Sequence, residues 1–69
     1  MKVNKWLNVH ILQAKYNTWV DEFEFSDEQG YNTMQDRKRM LKCYRENAPQ
    51  YKYRIIQRKV LNPQYNATN

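Results

Sequence analysis

With one cysteine, Cys43, and one histidine, His10, this chain cannot form an internal disulfide and lacks the ligands of a Cys/His zinc site. Side-chain packing alone must hold it together. Its 69 residues leave room for one domain with a small core, since a chain of this size buries only about 60% of the surface its unfolded form exposes. A two-domain enzyme is excluded, and oligomerisation or binding to a larger partner is the expected supplement to stability. No apolar run of signal-peptide length follows Met1, and no segment approaches the roughly 18 apolar residues of a membrane span. The expectation is a cytoplasmic protein that does not engage a membrane.

Alternation places the elements. In Lys5 to Tyr16, the residues Leu7, Val9 and Ile11 alternate with Asn8 and His10 as in a half-buried strand. Leu12 and Ala14 break that pattern, which calls for a bulge or for burial of both faces. Asn17-Thr18 makes a turn into a second strand, with Trp19, Asp21, Phe23 and Phe25 expected on one face and Val20, Glu22 and Glu24 on the other. Two capping boxes offer a helix start, Ser26 with Gln29 and Thr33 with Asp36; the second is preferred because Gly30, the only glycine, weakens a helix begun at Ser26. From Met34, the positions Met34, Leu41, Tyr44 and Ala48 form an apolar stripe bordered by Met40, and Asn47 with Pro49 ends the helix. Tyr51 to Leu61 reads as a third strand, with Tyr53 and Ile55 toward the helix and Arg54 and Arg58 exposed.

The predicted fold is α+β: a small β-β-α-β domain over residues 1–61, with a three-stranded, mainly antiparallel sheet covered on one face by one helix. Residues 62–69 are expected as a flexible polar tail. Trp19, Phe23, Leu41, Tyr44 and Ile55 are expected at the centre of the core.

Charge is segregated along the chain. Asp21, Glu22, Glu24, Asp27 and Glu28 form an acidic block, whereas Arg37 to Lys59 holds nine of the twelve Lys and Arg residues and one acid, Glu46. Lys38, Lys42 and Arg45, at i, i+4 and i+7, line one side of the helix with Arg39 beside them. The i,i+4 acids that normally neutralise such a face look absent. On the third strand Lys52, Arg54, Arg58 and Lys59 interleave with Tyr51 and Tyr53, a pattern that suits RNA or single-stranded nucleic acid, because phosphates meet the cations while bases stack on the rings. The plainer reading is a solvated helix face and a strand whose tyrosines belong to the core. Duplex DNA is less favoured than RNA, and no recognised RNA-binding signature is present.

Catalysis finds little support. Cys43 and His10 fall on different elements, so no nucleophile-base pair is expected, and the acids of the second strand read as a solvated face. No catalytic residue, metal or cofactor is expected. A protein-only alternative has Asp21, Glu22 and Glu24 docking onto a partner. In a homodimer those acids would meet Arg54 or Arg58 of the second copy.

The run Arg37-x-x-x-Leu41-x-x-Tyr44-Arg45-Glu46-Asn47-x-Pro49, followed by Tyr53-Arg54-Ile55-Ile56-x-Arg58-x-Val60, resembles small bacteriophage accessory proteins of unknown function. Gln13, Tyr16, Trp19, Asp21 and Glu22 fit their first half, with Asn17 and Thr18 in place of turn glycines. The likeness spans about residues 6 to 60. It implies a place in the host-cell cytoplasm and an anti-defence role. RNA would be bridged to a host protein such as a nuclease or toxin to inhibit it; in the alternative, a host enzyme would be inhibited by direct docking.

Overall fold

The computed structural model describes residues 4–62 together with Tyr65. Its elements are β1 (Trp6–Lys15), β2 (Trp19–Phe25), α1 (Met34–Asn47) and β3 (Lys52–Leu61). They form the β-β-α-β arrangement, with one antiparallel sheet ordered β2-β1-β3.

The middle position of β1 explains why its alternation fails at Leu12 and Ala14. β3 pairs along the whole strand, from Trp6 opposite Leu61 to Lys15 opposite Lys52, and β2 flanks His10 to Lys15 on the other side. Val9, Ile11, Leu12 and Ala14 are therefore all 3% exposed or less, although they point to alternate faces. Leu12 and Ala14 face α1. Val9 and Ile11 lie on the open face, where Arg58 stands opposite Val9 and Ile56 opposite Ile11. A long arginine stem can roof apolar neighbours while its guanidinium stays in water.

A bulge lies in β2. Leu12 pairs with Phe23 but Gln13 with Asp21, so Glu22 is the inserted residue. The expectation that Trp19, Asp21, Phe23 and Phe25 share a face is corrected here, because an extra residue reverses the alternation. Trp19 and Asp21 turn to the open face, while Phe23 and Phe25 stay on the helix side and cluster edge-on with ring centroids 5.0 Å apart.

Thr33 caps α1. Its hydroxyl accepts from the Asp36 N–H at 3.1 Å, and the Asp36 carboxylate accepts from the Thr33 N–H at 3.2 Å. Ser26 does not start a helix: it bridges to Tyr31 across a turn in which Gly30 takes the positive φ of 67° that favours glycine. α1 leans chiefly on β3 and buries none of its residues completely; Met34, expected on its apolar stripe, is 63% exposed. The expected core is corrected in the same way. Trp19, Phe23, Leu41, Tyr44 and Ile55 are half-buried, and the fully buried apolar residues are Val9, Ile11, Leu12, Ala14 and Phe25. A single helix over a twisted sheet shields less than two flanking strands do.

Of the expected tail, residues 63, 64 and 66–69 lie outside the described residues. Asn62 is buried, and it donates from its backbone to the Lys5 carbonyl and from its side chain to the Asn4 carbonyl, both at 2.8 Å.

Candidate nucleic-acid interface

The open face carries a polar chain across all three strands. Gln13, on the central strand and only 5% exposed, pairs in register with Asp21 on one side and Arg54 on the other. Its amide nitrogen donates to Asp21 Oδ1 at 2.7 Å, and its amide oxygen accepts from Arg54 Nε at 2.8 Å. Arg58 donates to both Asp21 oxygens, at 2.6 and 3.3 Å. Thus one buried amide fixes an acid and a base at once. Arg54 in turn lies over Trp19, its guanidinium carbon 4.1 Å from the ring centroid, and Lys15 Nζ is 5.9 Å from the same ring. A Trp-Arg platform results, flanked by the exposed cations Lys15, Lys52 and Arg58.

Hydrogen bonds from Arg58, then from Gln13, hold the Asp21 carboxyl below its ordinary value of 3.8, and the same pairing raises Arg58. Because Asp21 is lowered in the folded state, its contribution to stability is present above the ordinary carboxylate range and is lost as pH falls through the lowered value. The pair is exposed, so that contribution is small. Arg58→Gln should move the Asp21 titration, followed by NMR of its carboxyl carbon, back toward 3.8. A titration left in place would show that the Arg58 bonds do not set it.

The structure divides the expected site residues between two sides of the molecule. Lys52, Arg54 and Arg58 share the open face, whereas Lys59, opposite Asn8, alternates to the helix side. Lys38, Arg39, Lys42 and Arg45 are exposed on α1, pointing away from the sheet because Met40, Tyr44 and Ala48 face it. The helix stripe and the strand arginines therefore do not form one continuous surface.

The expected absence of i,i+4 acids is corrected for one cation: Lys42 pairs with Glu46 at 3.8 Å. Arg37 is also engaged, donating to the Asn32 carbonyl and side-chain oxygens at 2.5 and 2.8 Å. Among the described residues, Lys38, Arg39, Arg45, Lys52 and Lys59 have no acidic partner. Lys15, Gln13 and Trp19 belong to the open-face site although charge alone did not mark them. The signal available was a glutamine inside the most apolar run of the chain.

Nor do the acids of β2 make one surface. Asp21 pairs with Arg58 of its own chain, so that contact is not left for a second copy. Glu24 is exposed on the open face opposite Ile11. Glu22, turned by the bulge, accepts from the Tyr16 hydroxyl on the helix side. That bond, with a smaller part from desolvation, pushes the Tyr16 phenol up to about 12.

Tyr51 also lies on the helix side, packed edge-on against Tyr16 with centroids 4.7 Å apart, and does not interleave with Arg54 on the platform. His10 Nδ1 lies 3.0 Å from Asn32 Oδ1, and Cys43 is exposed on α1. Among the described residues no cluster of His, Cys, Asp and Glu is placed to hold a metal, and no helix is long and apolar enough to cross a membrane. No family model, curated protein or solved structure matches the chain.

Proposed function

We propose that this chain is a non-enzymatic nucleic-acid-binding domain that takes single-stranded RNA across its open sheet face. The observation that carries this reading is the Arg54 guanidinium carbon 4.1 Å from the Trp19 ring centroid, beside Lys15 and Lys52, which have no acidic partner among the described residues. Unpaired bases stack on indole rings and on guanidinium planes, while the flanking cations meet the backbone phosphates. A flat platform suits splayed bases better than a closed duplex. Charges on β3 also guard an edge strand against pairing with other chains, but that role requires neither the stacking of Arg54 on Trp19 nor its tether to Gln13. Asp21 and Glu22 are engaged within the chain, so docking of a protein through the acids of β2 draws less support. An accessory role in which bound RNA is presented to a nuclease or toxin is compatible with a platform that leaves the helix side free.

Affinity for a short single-stranded RNA should fall with salt. Roughly three phosphate contacts give a slope of log K against log salt near −2, at about −0.7 per phosphate for a single strand. A flat salt dependence, or a duplex bound as tightly as the single strand, would remove the proposal.

A further inference from the structure

On the opposite side of the sheet, a cleft of about 470 Å³ opens between the C-terminal half of α1 and the adjoining ends of β1 and β3. Tyr16, Tyr44, Tyr51 and Tyr53 line it, together with the carboxylate of Glu22. Its size is within the range of about 300 to 1,000 Å³ typical of small-ligand sites. We propose that this cleft binds an alkylammonium group, held by the faces of the tyrosine rings and balanced by Glu22.

Separate features favour a cation here. Aromatic faces carry the negative part of the ring quadrupole and attract ammonium groups. Glu22 has no basic partner among the described residues, although the chain carries a net charge of +5. Asn47 and Ala48, at the C-terminal end of α1, bring the negative pole of the helix to the same cleft. Lys15 and Lys52, the cations adjacent in sequence to Tyr16 and Tyr51, do not line this cleft and meet those tyrosines in a separate pocket beside it.

The rings are also held in place. The Tyr16 hydroxyl donates to Glu22, the Tyr53 hydroxyl donates to the Ala48 carbonyl at 2.8 Å, and Tyr44 packs against Tyr53 with centroids 5.8 Å apart. With the Tyr16 and Tyr53 hydroxyls already engaged, these two residues offer a ligand their rings more than their phenol oxygens. A phosphate or carboxylate ligand would meet Glu22 with like charge. The proposal does not rest on the nucleic-acid reading, which concerns the other face of the sheet.

Choline and its neutral isostere 3,3-dimethyl-1-butanol, titrated into the full chain and followed by NMR of the tyrosine ring protons, provide the test. Choline should shift Tyr16 and Tyr51 and bind about tenfold more tightly than the neutral alcohol, the margin expected of a cation on aromatic faces beside a carboxylate. Glu22→Gln should erase most of that margin, and Tyr51→Leu, at an exposed position, serves in its place if the first variant does not fold. Spermidine binding more tightly than a trimethyl-lysine peptide would assign the site to a free polyamine, and the reverse order to a side chain of a protein partner. Unmoved ring signals, equal affinity for the alcohol, or an unchanged preference in both variants would overturn the proposal.

Discussion

Trp19→Leu should weaken binding of single-stranded RNA about 5- to 150-fold, the loss of one base-stacking contact worth roughly 1 to 3 kcal/mol. Leucine keeps an apolar side chain at a half-buried strand position, so the sheet should survive while the stacking surface goes. Arg54→Glu should act on the same platform in a different way. It removes a phosphate contact or a stacking plane and puts a carboxylate in its place, and the salt slope should shrink by about 0.7, one phosphate's share on a single strand. The control is on the helix: Lys38, Arg39 and Arg45, changed together to glutamate, should leave affinity close to that of the parent, because they face away from the sheet. Fluorescence anisotropy of a labelled oligonucleotide, with folding checked by circular dichroism, reads all three variants. The opposite ranking, with the helix variant inert and both sheet variants fully active, would move the interface to α1.

Leu12→Ala should bring the domain to the edge of unfolding at room temperature. Leu12 is fully buried on the central strand, and truncation of such a leucine costs about 2.7 to 5 kcal/mol. Domains of this size are at the low end of the usual 5 to 15 kcal/mol of total stability, so the loss takes most of what holds the chain. Leu41→Ala, at a half-buried helix position, should cost roughly half as much, since part of its side chain already meets water. Urea denaturation of both variants measures the difference. Equal losses would return the centre of the core to the contact between helix and sheet.

These two results bear on what could be read from the residues alone. The helix was legible to the residue: Thr33 and Asp36 form a local capping box, and Pro49 enforces the stop, so no distant contact is needed to place either end. The strands were legible for the same reason, as was the placement of Tyr53 and Ile55 against Arg54 and Arg58. What failed depends on long-range pairing. That β1 lies between its neighbours follows only from the arrival of β3, 37 residues after the end of β1 in the case of Lys15 and Lys52. Without it, Leu12 and Ala14 look like an irregularity rather than the core. The partner of Arg58 is likewise remote, 37 positions away at Asp21, so a count of cations within the basic segment overstates the free charge. The bulge left no mark in composition, because Glu22 is as ordinary a strand residue as Glu24. Its position nonetheless decides which side Trp19 faces.

That inserted residue has a consequence for how such a chain can change over generations. Substitutions at Trp19, Val20 or Asp21 alter one surface at a time, and each can be tested by selection separately. Loss of the single codon for Glu22 would remove the extra residue and leave the pairing on either side in register, with Leu12 opposite Phe23 and Gln13 opposite Asp21. Trp19 and Asp21 would keep their places beside Arg54 and Arg58, and Val20 its place opposite Ala14. One deletion would therefore remove the acidic wall of the cleft and spare the platform, with no change to the hydrophobic residues that hold the fold. For this segment, the inserted residue serves one side of the sheet and its neighbours the other, so the two can be lost separately.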